Sequence, residues 1–475
     1  MHGVWTAQQI RDAEAVLLAQ VPEDGLMRRA AHGLALEVRR FLGRTSGRRV
    51  TLLVGAGDNG GDALWAGVEL RRAGAAVTAV LLNPDRAHPR GLAAFRRARG
   101  RVRTADAPGE ALTGADVLVD GIVGISGKGG LREQAAALLR DTRVPVIAVD
   151  LPSGVDTDTG SVDGDAVTAA RTVTFGARKP VHVLAAPRCG ETVLVDIGLR
   201  PENPHAWVLE ASDVGERWPV PGPADDKYTQ GVVGIAAGSA TYPGAAVLAT
   251  GAAVLATSGM VRFAGSARPA VGAHWPEVVA TDSLEDAGRT QAWTVGPGIG
   301  TDDAGRATLA AVLDRDVPTC VDADAITLLA QHADLRDRIA GRSVVLTPHA
   351  GEFARIAGDV GPDRIAAARR AAADLGVTVL LKGNATVVAD PGGRTLVHPS
   401  ADAFAATAGS GDVLSGLIGA LLAAGLEPWW AAGCAVFVHS RAATLAAGRA
   451  GGPAVPAPAS TVQAAIPRAI SEVRS

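Results

Sequence analysis

The chain has 475 residues, 47% of them hydrophobic and 20% charged, which predicts two or three domains with sizeable cores and excludes extended disorder. With 46 Lys and Arg against 49 Asp and Glu, the formal charge is −3, so no broad basic field exists to grip a nucleic acid. Three widely separated cysteines, no signal-peptide start and no long apolar run predict a soluble cytoplasmic protein with no membrane span.

Apolar positions at helical spacing predict helices over 7–20 and 26–42, the first behind Thr6 as N-cap. Residues 50–54 read as a buried strand, then a glycine loop and a helix to about Gly74. A second strand over 75–82 precedes a basic helix to about Gly100. The run ADVLVDGIVG enters another glycine loop, a helix covers 134–139, and PVIAVDLPSG is again strand then loop. Strands near Val173 and over 193–196 close the unit. This repetition predicts a Rossmann-like, doubly wound parallel α/β sheet for residues 1–210.

Residues 201–226 carry five prolines and read as a linker with one short strand, placing a boundary near 210. The pattern then restarts. GVVGIAAGS, AWTVGPGIG, VPTCVDADA, SVVLTPHAGE and TVLLKGNAT are strand–loop units, and the end of the chain is helical. Residues 211–475 form a second α/β domain.

The first glycine loop meets the GxGxxG spacing at Gly55, Gly57 and Gly60. The next strand ends Leu81-Leu82-Asn83 without an acid, which disfavours a hydride-transfer dinucleotide site. Asp120 and Asp150 stand at strand C-terminal ends, where open α/β sheets bind ligands. One such aspartate is more often a turn former, but three such loops in one sheet favour a pocket. Asp62, Asp120 and Asp150 are its available carboxylates.

In the second domain, residues 407–412 precede an apolar helix, where small residues let bare N–H groups meet a phosphate. Asp412 stands there, able to act on a hydroxyl or phosphoryl group. The loops at 296–300, 347–352 and 382–386 join it, and the four together indicate nucleotide chemistry. His349 is read as functional rather than as a plain helix start. Asp322 and Asp324 are read as helix caps that order the sheet edge, with a metal role as the alternative. With only four lysines (Lys128, Lys179, Lys227 and Lys382), each one invites inspection.

Asp-Asn-Gly-Gly-Asp after a strand, VDGIVGISGKGG, VDLPSG and GARKP resemble, in that order, the NAD(P)H-hydrate epimerase domain over about residues 8–210. The resemblance implies that Asp58, Asn59, Gly60, Gly61 and Asp62 bind the hydrated nucleotides NADHX and NADPHX. It implies the same for Gly124, Ile125, Ser126, Gly127, Lys128, Gly129, Gly130 and Asp150. Asn59, Asp120 and Ser153 would hold a potassium ion (K+), oxygen ligands suiting a hard cation. The implied chemistry interconverts R and S forms at C6 of the nicotinamide ring. With Asp120 engaged by potassium, Asp150 is the group for proton transfer. Asp58, Ala63 and Ile125-Ser126 depart from the family's usual asparagine, glycine and single threonine.

GSATYPGAAVLATGAA, VGPGIG, VDADA, TPHAGE, LKGNAT and TAGSGDVLSG resemble the ribokinase-like superfamily over residues 227–450, and within it the ADP- or ATP-dependent NAD(P)H-hydrate dehydratase. That implies contact of Ala245, Gly298, His349 and the catalytic Asp412 with the hydrated cofactor. Lys382, Gly383, Asn384, Ala385 and Thr386 would hold ADP. So would Asp402, Ala403, Phe404, Ala405, Ala406, Thr407, Ala408, Gly409, Ser410 and Gly411. Mg2+ is implied for the phosphoryl step. Ser410 stands where the family often has methionine, a more kinase-like loop. A homo-oligomer is expected. The rival expectations are a small-alcohol kinase and, for the first domain, a non-catalytic ligand-binding or RNA-scaffold module.

Overall fold

The computed structural model describes all residues except 126, 128, 141, 258, 400–402 and 449–453. Ser126, Lys128 and Asp402 therefore lie outside the described residues. The chain divides into two compact units, Gly3–Ala206 and Trp207–Ser475, the latter with Met1–His2.

The first unit is built on a seven-stranded sheet. Its strands are β1 (Arg49–Val54), β2 (Ala76–Leu81), β3 (Arg101–Thr104), β4 (Val117–Gly121), β5 (Val146–Val149), β6 (Arg171–Phe175) and β7 (Glu191–Val195). They run β3-β2-β1-β4-β5-β6-β7 and every pair is parallel. The continuous Val and Leu runs of β1, β4 and β5 are buried on both faces, as parallel strands between helix layers require. Strand order reverses between β1 and β4, so the loops after these two strands diverge and open a crevice. Three helices matter for the site: α1 (Ala7–Leu18), α2 (Gly25–Leu42) and α3 (Asp58–Arg72). Thr6 closes a capping box with Gln9 at the start of α1. Gly55, between β1 and α3, sits so tightly that a Cβ would lie 1.8 Å from the Ile122 carbonyl oxygen.

In the second unit the strands are β8 (Val232–Ala236), β9 (Met260–Ala264), β10 (Val279–Thr281), β11 (Ala292–Val295), β12 (Thr319–Val321), β13 (Val344–Leu346), β14 (Thr378–Leu381), β15 (Ala385–Ala389) and β16 (Thr395–Pro399). They are ordered β16-β15-β14-β13-β12-β11-β8-β9-β10, and Trp207 pairs beside Leu396 on β16. The strands from β14 to β10 are parallel, whereas β14, β15 and β16 form an antiparallel meander. The helices that frame the site are α4 (Pro243–Ala256), α5 (Ala350–Ala357), α6 (Ser410–Ala423) and α7 (Pro428–Ala446). Helix α6 is buried almost all round. Gly416 and Gly419 let it approach α4 and β11 closely: a Cβ there would lie 2.1 Å from the Ala249 oxygen and 2.0 Å from Thr294 Oγ1. Small residues thus replace the aromatic bulk that the composition lacks.

Two expectations need correction. The 201–226 stretch holds a helix, Ala211–Arg217, besides its short strand. Glu210 and Asp213 form a capping box that starts this helix among the prolines. The loop expected over 382–386 is shorter than its five residues. Lys382-Gly383-Asn384 turns a hairpin, and Ala385 and Thr386 already belong to β15. Among the described residues, no helix is long and apolar enough to cross a membrane.

Candidate active sites

The crevice of the first unit holds a cavity of about 380 Å³, lined by Asp58, Asn59, Asp62, Gly124, Ile125 and Asp150 of the expected residues. Glu14 of α1, Asp24, Met27 of α2, His88 and Lys179 also line it, with apolar side chains between them. Gly60 and Gly61 do not line it. They are packing glycines, since a Cβ at Gly60 would lie 2.4 Å from the Gly55 oxygen and one at Gly61 2.8 Å from Met27. Gly127, Gly129 and Gly130 also lie outside the lining.

Asp120 and Ser153 are completely buried beneath this cavity. Ser153 donates from Oγ to Asp120 Oδ1 at 2.7 Å and from its amide to Oδ2 at 2.9 Å. The Ile122 amide donates to Oδ1 at 3.2 Å, and the Val123 amide donates to Ser153 Oγ at 3.0 Å. Asp120 therefore ties the loops after β4 and β5 together. Its burial raises its pKa, opposed by the Ser153 and Ile122 hydrogen bonds. Asn59 donates from Nδ2 to the Val123 and Val149 carbonyls at 3.1 and 2.6 Å, which turns its Oδ1 toward Gly124. Asp120 is a buried anion with no cationic side chain bonded to it among the described residues, and the side chains expected beside it, Asn59 through Oδ1 and Ser153 through Oγ, offer oxygen donors. Such a donor set suits a hard cation.

Asp150 ends its strand with a φ of 67°, a left-handed conformation unusual for a residue with a side chain. Lys179, almost completely buried, donates to its Oδ1 at 2.6 Å, and Thr174 Oγ1 donates to the same atom at 2.9 Å. Asp62 is buried as well, and its Oδ1 has no hydrogen-bond partner. Burial first, and then the charges of Asp150, Asp58 and Glu14, hold its pKa well above the usual carboxylate range. Burial likewise raises that of Glu14. The cavity thus gathers five carboxylates (Glu14, Asp24, Asp58, Asp62 and Asp150) against one lysine, and burial drives Asp62 and Glu14 toward the protonated form.

The second unit holds a cavity of about 440 Å³ between the β14–β15 hairpin and the start of α6. His349, Lys382, Gly383, Asn384, Thr386, Ala403, Ala405, Ala406, Ser410 and Gly411 line it. Ala385, Phe404, Thr407, Ala408 and Gly409 do not, Ala385 being buried in β15. Gly409, at φ 84°, is the N-cap of α6, and the first-turn amides beyond it have no intrahelical acceptor. His398 and His439, which sequence reasoning missed, form the back of the cavity. Burial depresses both to about 4, and His439 Nε2 lies 3.0 Å from Ser410 Oγ.

Asp412 lies one residue beyond the lining, with its pKa pushed up to about 7. Burial is the main cause, Asp322 and Asp324 add to it, and Lys382 opposes it. Asp322 and Asp324 are not the helix caps expected of them. Asp322 accepts from Lys382 Nζ at 2.8 Å, and Asp324 Oδ2 accepts from the Gly300 amide at 2.9 Å. The adjoining helix is capped by Ala323 without a side-chain bond. His349 does cap α5: its Nδ1 accepts from the Gly351 and Glu352 amides at 3.0 and 3.3 Å. Its ring remains 57% exposed at the cavity mouth. Ala245 and Gly298 face each other, a Cβ on Gly298 falling 3.1 Å from that of Ala245.

Comparison with known proteins agrees with both halves. Residues 233–467 match the family described as NAD(P)H-hydrate dehydratase, and residues 23–181 match that described as YjeF-related protein N-terminus. A bifunctional NAD(P)H-hydrate repair enzyme of Mycobacterium leprae is 55% identical over 485 aligned positions, covering 100% of this chain and 99% of that one. The chain belongs to the bifunctional NAD(P)H-hydrate repair enzymes. The Mycobacterium tuberculosis member of that name is 57% identical, with 90% of each chain covered. A ribokinase-like superfamily protein of Enterococcus faecalis shares the fold of the second unit. It is 24% identical, with a TM-score of 0.50, and covers 57% of this chain and 98% of its own. Around the cavity of the first unit, sequence reasoning passed over Glu14 and Lys179. Only Lys179 carried a signal, as a scarce lysine inside the GARKP motif.

Proposed function

We propose that this chain repairs hydrated NADH and NADPH in the cytoplasm, its first unit interconverting the R and S hydrates and its second dehydrating the S form with ADP. The single observation that carries the reading is Asp412, a half-buried carboxylate of near-neutral pKa at the glycine-rich start of α6. A group with that proton affinity is a matched base at physiological pH.

In the second unit, the C6 hydroxyl gives its proton to Asp412 as its oxygen attacks the β-phosphoryl group of ADP, and AMP departs. Phosphate then leaves C6 with a proton from C5, restoring the ring double bond. The first-turn amides of α6 and the hairpin at 382–386 receive the nucleotide, and Ala245, Gly298 and His349 border the hydrated ring. Mg2+ would supply charge neutralisation for the phosphoryl step, and Asp322 and Glu352, the carboxylates beside Lys382, are the side chains that would hold it. In the first unit, residues 58–62 and the 124–130 loop receive the hydrate, with Asp150 at its proton-transfer position. Asn59, Asp120 and Ser153 would hold K+, which would offset the buried Asp120 charge.

Incubating the protein with mixed R and S hydrates and ADP, and following the return of nicotinamide absorbance, tests the reading. Full conversion of both epimers with release of AMP and phosphate is the expected result. A stable phosphate ester would instead indicate a small-alcohol kinase. Conversion of the S form alone would leave the first unit a non-catalytic module.

A further inference from the structure

Asp150 is over-determined. Its backbone is left-handed, and residues of this kind persist only where the surroundings impose the conformation. One short segment after β6 supplies the restraints. Lys179 Nζ donates to Asp150 Oδ1 at 2.6 Å, to Thr174 Oγ1 at 3.1 Å and to the Ala177 carbonyl at 3.3 Å. His182 lies 2.7 Å by Nε2 from the Asp150 carbonyl oxygen. The Lys179 amide donates to His182 Nδ1 at 2.9 Å. Nδ1 is thereby an acceptor, so Nε2 carries the proton and donates to Asp150. Burial keeps the ring neutral, its pKa lowered to about 4, so this tautomer persists.

The described hydrogen bonds to the carboxylate, from Lys179, Thr174 and the Phe175 amide, all end on Oδ1. Oδ2 is left for the cavity that Asp150 lines. Glu14, Asp24, Asp58 and Asp62 line the same cavity, and a carboxylate free to rotate there would turn away from these acidic neighbours.

We infer that Lys179 and His182 are positioning residues of epimerisation: together they clamp the side chain and carbonyl of Asp150 so that Oδ2 points at the hydrated ring. The inference rests on the epimerase reading of this cavity. His182 touches neither the cavity nor a hydrate bound in it, and acts only through Asp150.

The test uses the full chain with His182→Leu, His182→Gln and Lys179→Gln, measuring kcat and KM for R-to-S conversion. Thermal melting gives the folded fraction of each variant, and dehydration of pure S hydrate in the same sample checks that the second unit is intact. His182→Leu is expected to lower kcat ~10–100-fold, the usual cost of removing an outer positioning partner, with KM little changed. His182→Gln, which keeps a donor for the Asp150 carbonyl, restores most of kcat. Lys179→Gln lowers kcat further. Wild-type kcat in His182→Leu and Lys179→Gln overturns the inference. So does a loss in which kcat falls only with the folded fraction and glutamine gives no rescue. A wild-type chain that dehydrates the S form but never converts the R form overturns the epimerase reading itself, and this inference with it.

Discussion

Lys382 donates from Nζ to Asp322 Oδ1 at 2.8 Å, and its ammonium lies against Gly411, where a Cβ would fall 3.3 Å away. The lysine that the resemblance gives to ADP is thus also part of the electrostatics of Asp412. It stands between two acidic groups, lowering the proton affinity of Asp412 that Asp322 raises.

Lys382→Ala should therefore do more than weaken ADP binding. It leaves Asp322, 1% exposed, without its cation, and breaking a buried pair this way costs about 3–5 kcal/mol. It also removes the charge that lowers the Asp412 pKa, so the acid limb of the dehydration pH profile should move above its wild-type position. Thermal melting and a pH–rate series check both effects, and R-to-S conversion should persist. A variant with raised KM for ADP and an unmoved acid limb would confine Lys382 to the nucleotide.

Asp412→Asn should lower dehydration at least ~10²-fold, the scale of a lost acid–base group, without changing the melting temperature. With the carboxylate as the proposed base, the wild-type rate should rise as pH passes through about 7. The variant's residual rate should lack that limb. Initial rates on pure S hydrate across the range decide it. An asparagine variant that keeps the limb would assign it to another group.

Gly55→Ala should destabilise the first unit by about 1–3 kcal/mol or more, because the added methyl meets the Ile122 backbone rather than a yielding side chain. Melting with epimerase kinetics checks this, with dehydration of the S form as the control. An undisturbed melt and kcat would mean that the loop between β1 and α3 relaxes easily.

The strand-end glycine loops were legible because a parallel sheet demands buried runs followed by tight turns, and both leave marks at fixed spacing. Asp150 and Asp412 stood out for that reason. Glu14, Lys179 and His182 did not, because their relation to the cavity is tertiary: α1 and the segment after β6 reach it from far along the chain. Asp322 was misread for the same cause. A carboxylate after a strand looks like a cap until the lysine 60 residues on is seen to bind it. The β14–β15 hairpin escaped because Lys382-Gly383-Asn384 follows a buried strand just as the other strand-end loops do.

The last prediction separates the two activities through potassium. Asp120 is the one carboxylate among Asn59, Asp120 and Ser153, and it binds the Ser153 hydroxyl and amide and the Ile122 amide at once. Asp120→Ala removes the anion that a cation would offset and unties the loops after β4 and β5. Asp120→Asn retains an acceptor for one Ser153 donor and removes only the charge. If K+ sits there, both variants should lose R-to-S conversion and its potassium dependence, while pure S hydrate is still dehydrated with ADP. If Asp120 serves only to join the loops, the asparagine variant should keep much of its epimerase activity, with a lower melting temperature and unchanged response to potassium. Chromatography of each epimer, in potassium and then in a tetramethylammonium buffer, distinguishes these outcomes. Full epimerisation by wild-type protein in tetramethylammonium would remove the cation from the site altogether.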